Sequence, residues 1–590
     1  MKRYLFAIIL IFCSLATLAT PPAMPTSIIT LADGSVAIAN KGTKTVEIYS
    51  ADFSEKNRTL TFNDPPQGIT QNTDGTLFVT TFNDGQKGIA RSMLHRIGTS
   101  GIEKSVTAPY GAGKPIIAAG KLYLGGQFDG TVAQFNPQTL DQEKTTHVLR
   151  EPKALVANDK YLFVLNFLPA TASNLDYVAC DVSVIDLATF QVVKNIKLSN
   201  GSNALRDILL TRDGRYVLVS HNLGRYTVPT SQLQQGWMNT SAVSVIDAKN
   251  LIFKGSIIVD EPNRGAAGTW GIAQGGANGE KIIVSHSGTH DVSIIDYKKM
   301  IDKLENYKGG IDMLDYDLRF LYGMRDRVAL TGNGPRAMSI SKDGTKVYVP
   351  TYFSDTLNIV RIDSHDIKTV ALNPERTMSQ AQIGEKVFND ATYCFQNWQS
   401  CNGCHPGEAR TDGMNWDLMN DGIGNSKNCK SLLYSIQTAP SMISGIRASA
   451  ELANRKGFTH IQFSNIPEEM ALAVDAYTRT LEAVASPFLV NGQLSEKAKA
   501  GSKVFEKFNC GQCHSGPYYT DMKMHRIGED IEFEAGWDTP TLREVWRTAP
   551  YLFNGRAVTM RDVFAVYKHG IDRKISDREI DELTEYVNSL

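Results

Sequence analysis

The sequence has no excess of charge of either sign and, beyond its first twenty residues, no long hydrophobic run. Its 61 Lys and Arg residues balance 62 Asp and Glu residues. No dense basic cluster stands out, so a nucleic-acid-binding protein is not expected. Without a run of about 20 apolar residues, we expect no transmembrane segment in the mature chain. At 590 residues the chain is too long for one ordinary domain, and two or three are expected.

Residues 1–19 have the pattern of a secretory signal peptide. A basic pair precedes the apolar run 5–12, and small residues ending at Ala19 follow. This order is typical of a cleaved export signal. A bulky residue precedes Cys13, which disfavours lipoprotein anchoring. We therefore expect cleavage near Ala19 and a periplasmic or otherwise exported protein.

Cysteine is scarce, and four of the eight cysteines fall in two copies of one short motif. The motif, Cys-x-x-Cys-His, attaches haem c through two thioether bonds and supplies an axial His to the iron. Its members here are Cys401, Cys404, His405, Cys510, Cys513 and His514. Two copies predict two covalently bound haem c groups, and hence redox chemistry. A zinc site is disfavoured because each cysteine pair has its own adjacent His.

Three cysteines of the mature chain lie outside the motifs. Cys394 and Cys429 flank the first motif. In an oxidising compartment this pair forms a disulfide or stays free, and the sequence leaves both alternatives open. Cys180 is expected to be a buried thiol without a chemical role.

Residues 24–372 repeat one β-rich theme with a period of roughly 40–50 residues. An Asp-Gly turn leads into a strand in 211–219 and again in 341–349. Such hairpins, four strands to a repeat, predict an all-β seven-bladed propeller, and the segment resembles the YVTN-type propellers. The segment 307–333 is expected to be an insertion. We expect the blades to begin near Pro25, Gln67, Gly113, Pro152, Leu205, Gly271 and Pro335.

Three histidines follow similar strands in successive repeats of this region. They are His221, His286 and His290. If they gather on one face, they would bind copper or another metal. The alternative is that they are unrelated loop residues.

The carboxyl-terminal part of the chain has helical periodicity and is internally duplicated. Similar segments precede both motifs and recur after them, at 383–388 with 500–505 and at 438–448 with 548–557. The duplication predicts an all-α dihaem module made of two cytochrome c folds. We place the first domain at 379–490 and the second at 491–590.

One stretch near the end of the chain resembles a known family. Residues 538–545, followed by Thr548-Ala549-Pro550-Tyr551 and Asn554-Gly555, are similar to the bacterial dihaem cytochrome c peroxidases. That family includes the dihaem enzyme that matures the tryptophan-derived cofactor of methylamine dehydrogenase. The resemblance covers roughly 379–590. It implies one low-spin electron-transfer haem, a second haem that reacts with peroxide, and a calcium ion between the domains.

The resemblance also implies ligands for the calcium ion. The family's calcium-binding Asn falls on Asn428. Thr548 and Pro550 fall at the positions that donate backbone carbonyls. Oxygen ligands of this kind suit a hard cation. The alternative is that Asn428 only caps a turn.

The distal ligand of the second haem has two main candidates and a third, weaker one. Counted without gaps, the family's position falls on Tyr567, as in the maturase branch. His569 lies two residues on and ligates instead if the helix ends differently. Met560 is a weaker candidate that we expect in the core.

The first haem departs from the family pattern. The distal His position falls near 420–421, where no His is present. The acidic, Gln and Trp positions of the family fall on Phe463, Ala453 and Ile443. The nearby His460 and Gln462 are therefore the candidate acid–base and polar groups. Trp416 is expected to pack near this haem, where an electron-relay role is a further candidate.

These features predict an exported dihaem oxidoreductase that reacts with hydrogen peroxide or a small organic substrate. Its expected partner is a small periplasmic electron donor or acceptor protein. The alternative is a non-enzymatic dihaem electron-transfer protein whose propeller docks a redox partner. A third alternative, a dehydrogenase with a substrate-binding propeller, has no quinone or flavin motif to support it.

Overall fold

The computed structural model describes residues 20–85, 90–229, 237–374, 376–418, 426–527 and 534–590. The predicted signal peptide lies outside these residues. Within them, no helix is both long enough and apolar enough to cross a bilayer.

Seven four-stranded antiparallel sheets form the amino-terminal region, and in each the strands pair in chain order. Strands β1 to β16 are Pro25–Thr30, Val36–Asn40, Thr45–Tyr49, Lys56–Thr61, Pro66–Gln71, Leu77–Asn83, Arg91–Ile97, Ile102–Thr107, Ile116–Ala118, Lys121–Gly126, Thr131–Phe135, Gln142–His147, Pro152–Ala157, Tyr161–Asn166, Asp181–Asp186 and Gln191–Lys197. Strands β17 to β28 are Ser202–Leu210, Tyr216–Gly224, Asn239–Asp247, Ile252–Ile258, Thr269–Gly275, Lys281–His286, Asp291–Asp296, Arg325–Ala329, Ser339–Ile340, Lys346–Pro350, Thr356–Arg361 and Ile367–Ala371. The predicted seven-bladed propeller is confirmed.

The ring closes because the first blade packs on the last. Thr30 hydrogen-bonds Ser339 and the Ile340 carbonyl at 2.9 and 2.7 Å. The first strands of successive blades contact one another around the ring, so they line its centre. Middle strands such as β14 are buried on both faces because a neighbouring blade stacks on each side, whereas fourth strands such as β12 are exposed. The Asp-Gly turns need glycine, since Gly214 and Gly344 have φ of +68° and +77°.

The sixth blade carries the predicted insertion, but its bounds differ from the prediction. It begins directly after β23 with helix α1, Tyr297–Glu305, and continues with the short α2, Ile311–Leu314. Asp296 caps α1 by accepting a hydrogen bond from the Lys299 amide. The insertion packs its apolar side on a buried cluster shared by the fifth and sixth blades. Strand β24 lies inside the range 307–333 that was expected to be an insertion.

The rest of the chain is helical and duplicated. Its helices α3 to α9 are Gln380–Phe388, Pro406–Ala409, Ala450–His460, Glu468–Arg479, Glu496–Lys507, Met560–Ala565 and Asp577–Asn588. Two short ribbons, β29 with β30 and β31 with β32, are Asn415–Trp416, Lys427–Asn428, Met524–His525 and Trp537–Asp538.

The same helix crossing occurs in both halves of this module. A Cβ at Gly384 of α3 would lie 1.8 Å from the Ala473 carbonyl oxygen of α6. A Cβ at Gly501 of α7 would lie 1.9 Å from the Glu582 carbonyl oxygen of α9. Glycine is needed at both crossings because no side chain fits between the helix backbones. The duplication read from the sequence is therefore present in the packing.

The helical module lies over one face of the propeller. The Gly265 amide donates to the Gln396 carbonyl, and the Ala391 amide to the Gly288 carbonyl, at 2.8 and 2.9 Å. The second half also reaches the propeller, since the Ser173 amide donates to the Gly555 carbonyl at 2.9 Å. The face that carries the loops between second and third strands is thus covered by both halves.

Candidate functional site

The two CxxCH motifs have the same backbone conformation. Each begins with a 3-10 turn, over Cys401–Gly403 and Cys510–Gln512. The amide of each motif His donates to the carbonyl of the first motif cysteine, at 3.0 Å for His405 and 2.9 Å for His514. The turn places both cysteines and the His on one side of the backbone.

Both motif histidines are oriented by the same hydrogen bond. Nδ1 of His405 lies 3.0 Å from the Arg410 carbonyl, and Nδ1 of His514 lies 3.1 Å from the Tyr519 carbonyl. A carbonyl acceptor puts the proton on Nδ1 and leaves Nε2 free to bind a metal. Burial lowers the pKa of both imidazoles, which favours the neutral, ligating form. The residues fit an axial role toward haem iron.

The motif cysteines are half-buried thiols. Burial raises the pKa of Cys401 to about 12 and that of Cys510 to about 11, and it raises the pKa of Cys404 further above its usual range. A thiolate zinc site requires the opposite direction. The environment fits uncharged sulfur, as in a thioether.

Propeller residues contribute to the surroundings of the first motif. Asn239 Nδ2 lies 3.2 Å from Cys404 Sγ. Cys404 packs against a buried cluster that joins the propeller to the module, formed by Val178, Tyr226, Met238, Met414 and Trp416. A narrow pocket between the motif loop and the propeller is lined by Asn222, Asn239, Trp270, Trp398, Asn402 and Gly403 among others. Sequence reasoning missed these propeller residues.

Trp416 lies beside the first motif, in the same buried cluster as Cys404. Its ring is 5% exposed and its Nε1 donates to Asp412 Oδ2 at 2.9 Å. Burial raises the pKa of Asp412 to about 7. The indole reaches the propeller backbone, since a Cβ at Gly224 would lie 3.2 Å from it.

The two candidate polar groups of the first site are placed differently. Gln462 is 3% exposed, and its Nε2 lies 3.2 Å from Cys401 Sγ, while its Oε1 has no partner. His460 is exposed at the end of α5. The structure therefore brings Gln462, and not His460, against the first motif. The distal position near 420–421 lies outside the described residues.

At the second motif the structure separates the two distal candidates. The imidazole rings of His514 and His569 have centroids 6.3 Å apart. Burial and the neighbouring His514 lower the pKa of His569 to about 4. Tyr567 is 36% exposed, and its hydroxyl donates to the Arg556 carbonyl at 3.1 Å. Met560 is in the core of this domain, as expected.

Two of the three predicted calcium ligands meet. The Asn428 side chain lies 2.5 Å from the Pro550 carbonyl oxygen, and its buried Oδ1 has no partner. The Asn428 amide nitrogen donates this contact. The free Oδ1 of Asn428 and the Pro550 carbonyl are oxygen atoms of the kind that a hard cation binds. Thr548 lies at the end of the turn Val545–Arg547, two residues before Pro550.

A buried ion pair joins the two halves of the helical module. Arg410, whose carbonyl orients His405, donates from Nε and a terminal nitrogen to the two carboxylate oxygens of Glu544 at 2.7 and 2.9 Å. The side chains are 4% and 0% exposed. The Val484 amide also donates to Glu544, at 2.7 Å. No sequence motif marked this pair.

The three propeller histidines do not share a metal site. His221 bonds the Asn222 carbonyl and Ser244, and His286 bonds Thr269 and Ser293, so both ring nitrogens of each have partners. His290 bonds the Ser287 carbonyl and lies 3.1 Å from Asp390. The contacts do not favour the metal-site hypothesis, since hydrogen bonds use both ring nitrogens of His221 and of His286.

The remaining cysteines are free thiols. Cys429 Sγ lies 3.2 Å from the Cys404 carbonyl oxygen and 3.6 Å from His405 Nδ1. Cys394 is buried in a separate turn, so the disulfide alternative is not realised. Cys180 is buried, as expected. Cys513, Asp521 and His525 converge within 4.8 Å, but that group includes a motif cysteine.

The described residues thus form a seven-bladed propeller joined to a duplicated helical module that carries two CxxCH motifs. No protein-family model matches the chain. Hydrazine synthase subunit gamma of Kuenenia stuttgartiensis is 27% identical over 272 residues, which are 35% of this chain and 77% of that protein. Methylamine utilization protein MauG of Methylophilus methylotrophus is 24% identical over 277 residues, 36% of this chain and 83% of that protein.

Cytochrome c551 peroxidase of Pseudomonas aeruginosa is 22% identical over 270 residues, 36% of this chain and 78% of that protein. A solved structure of Kuenenia stuttgartiensis hydrazine synthase matches with a TM-score of 0.52 at 20% identity, and covers 60% of this chain and 100% of that chain. That match concerns the fold. The predicted resemblance is confirmed: the sequence relatives of this chain include MauG and a cytochrome c peroxidase. These relatives are enzymes, and they support a c-type haem oxidoreductase.

Proposed function

We propose that the chain is an exported dihaem c-type oxidoreductase whose second haem transfers electrons and whose first haem reacts with peroxide or a small substrate. One difference between the motifs carries this proposal. His514 faces a second imidazole, that of His569. Within the described residues, His405 has no such ring opposite it. An iron held by two protein ligands (closed) would transfer electrons. An iron held by one protein ligand (open) would leave a position for a reactant.

The residues of each site have distinct tasks in this proposal. Cys401, Cys404 and His405 hold the first haem. Haem c, when bound, supplies the one-electron and peroxide chemistry. The Gln462 amide, buried beside Cys401 with a free Oε1, would orient a polar reactant by hydrogen bonding. Trp416, fixed by Asp412, would exclude water from the propeller side. His460 lies at the surface, where it would exchange protons with solvent.

The second site is held by residues of one domain. Cys510, Cys513 and His514 would hold the haem, and His569 would complete its axial ligation in place of Tyr567. Two neutral imidazoles would hold the iron from both sides and suit it to electron transfer. The Asn428 side chain with the carbonyls of Thr548 and Pro550 would hold one calcium ion between the two domains.

The alternative function is electron transfer without catalysis. The observation that favours it is the cover that the propeller gives to the first motif, with Asn239 3.2 Å from Cys404 Sγ. In that case the first iron also has two axial ligands, and the propeller docks a redox partner. In both versions the partner is a small electron donor or acceptor protein in the periplasm, and residues 1–19 direct export.

Two measurements test the proposal. Intact mass spectrometry of the exported protein should give the mature chain plus two haem groups, and a chain with one haem or none would contradict it. Stopped-flow mixing of the holoprotein with hydrogen peroxide should change the spectrum of one haem rapidly. If peroxide does not change the spectrum in either the oxidised or the half-reduced state, the peroxide-reactive proposal is contradicted and the electron-transfer alternative is supported.

A further inference from the structure

Three cations lie together at the centre of the propeller, directly under the loop of the first motif. Lys153 is in β13, Arg206 is in β17 and Arg336 lies three residues before the start of β25. These are first strands, which line the centre of the ring. Arg206 donates to Oδ1 of Asn402, the second residue of the first CxxCH motif, at 2.6 Å.

Shared aromatic contacts keep the three cations close to one another. The guanidinium carbons of Arg206 and Arg336 lie 4.1 and 4.3 Å from the ring centre of Trp270. Arg206 and Lys153 in turn lie 5.2 and 5.7 Å from the ring centre of Phe167. Cation–π contacts of this kind hold positive groups in place without neutralising them.

None of the three cations has a carboxylate partner among the described residues. Lys153 donates to Gln127 Oε1 at 2.7 Å, Arg206 to Asn402, and Arg336 to Asn389 Oδ1 at 3.3 Å. Arg206 is 8% exposed, and the buried Nε of Arg336 has no hydrogen-bond partner. Buried cations are normally paired with an anion, and Arg cannot avoid its charge by losing a proton.

Two carboxylates whose charge acts on Lys153 have other hydrogen-bond partners, and the charge of a third, Glu385, interacts with that of Arg336. Glu408 pairs with Lys41, with 3.0 Å between Nζ and Oε1. Glu151 accepts from Gln127 at 2.8 Å. Burial raises the pKa of Glu385, and the charges of Arg336 and Lys41 only oppose this effect. Among the described residues, these carboxylates therefore act on the three cations only through charge, and none of them accepts a hydrogen bond from the cations.

We infer that Lys153, Arg206 and Arg336 form a binding site for a small anion with a carboxylate or similar oxyanion group. The planar guanidinium groups offer paired N–H donors that match two oxygen atoms of one anion, and Trp270 and Phe167 form its apolar walls. The site lies at the propeller centre, and through Asn402 it contacts the loop that carries the first haem attachment.

Two sources of carboxylate fit this chemistry, and the test separates them. One is a free small anion that enters the propeller. The other is a propionate group of the first haem. The probes are formate, acetate, nitrate and inorganic phosphate, each titrated calorimetrically into full-length holoprotein in a low-chloride buffer. The variants are Arg206→Gln, Arg336→Gln and Arg206→Lys, with Arg578→Gln on the exposed surface of α9 as the matched control.

For a free anion, at least one probe binds the wild type with one site per chain. Its affinity falls at least tenfold in Arg206→Gln and Arg336→Gln, falls less in Arg206→Lys, and is unchanged in Arg578→Gln. For a haem propionate, no probe binds the wild type, but Arg206→Gln and Arg336→Gln each shift the midpoint potential of one haem while Arg578→Gln does not.

Two results would overturn the inference. One is that no probe binds and both haem potentials stay unchanged in all variants. The other is equal affinity of a probe for the wild type and for both glutamine variants, which would place binding elsewhere. Circular dichroism confirms the fold of each variant, and Lys153→Gln replaces Arg206→Gln if the latter does not fold.

Discussion

The imidazole rings of His514 and His569 face one another with centroids 6.3 Å apart and planes inclined by 51°. Metal–nitrogen bonds of about 2 Å put the nearest nitrogens of two imidazoles on one metal about 4 Å apart. The two ring radii increase the distance between the centroids beyond that value. The observed separation therefore suits one metal ion held between the two histidines.

The first prediction concerns this pair. His569→Ala should convert the second haem from low-spin to high-spin, because its iron would lose one of two axial nitrogens. Electron paramagnetic resonance of the oxidised protein measures the change. Tyr567→Phe is the control and should leave the low-spin signal intact, since its hydroxyl bonds only the Arg556 carbonyl. If Tyr567→Phe loses the low-spin signal and His569→Ala keeps it, the ligand is Tyr567.

The second prediction concerns the polar group beside the first motif. Gln462→Ala should slow the reaction of the first haem with peroxide by about tenfold or more, as expected on removal of a polar group from a reacting site. Stopped-flow absorbance gives the rate. His460→Ala, two positions away on the exposed surface, should change the rate much less. The reverse order of the two effects would transfer the catalytic role to His460.

The third prediction concerns stability. Glu544→Ala leaves the buried Arg410 without its carboxylate, and should cost about 3–5 kcal/mol of unfolding free energy in the helical module. Urea unfolding followed by haem absorbance reports on this part of the chain. Asp302→Asn, which breaks the exposed pair with Lys298, should leave the unfolding midpoint unchanged. A midpoint that does not move in Glu544→Ala would mean that the pair contributes little.

The fourth prediction concerns calcium. Metal analysis of the purified protein should find one calcium ion per chain, and Asn428→Ala should lose it, because its amide oxygen is a predicted ligand. Chelation of the wild type should lower the melting temperature, since calcium would join segments from both haem domains. Full calcium content in Asn428→Ala would support the alternative that this residue only stabilises a turn.

The propeller was predictable because its signal is local and repeated. Hairpin turns and alternating apolar residues place Pro25 and Pro152 at the start of blades, and β1 and β13 begin at these residues. The predicted start of the insertion is too late, because α1 starts directly after the last residue of β23, without a turn between them. Local sequence patterns thus predict which strands and helices are present. They predict where an element begins or ends only if a turn residue stands there.

The sites depend on contacts that no local pattern contains. Asn239 meets Cys404 across 165 positions, and Arg410 meets Glu544 across 134. At the second motif, counting without gaps favoured Tyr567. The chain turns after α8 instead, with Lys568 at a φ of +47° and the His569 amide bonded to the Val563 carbonyl. This turn carries His569 inward and leaves Tyr567 partly exposed.

The central claim is that one haem iron is closed and the other is open. Low-temperature electron paramagnetic resonance of the holoprotein, fully oxidised and then half-reduced, tests it most directly. We expect one low-spin ferric signal, from the haem held by His514 and His569, and one high-spin ferric signal from the haem held by His405. Two low-spin signals that persist in both states would contradict the claim, and would make the chain an electron-transfer protein with two closed irons.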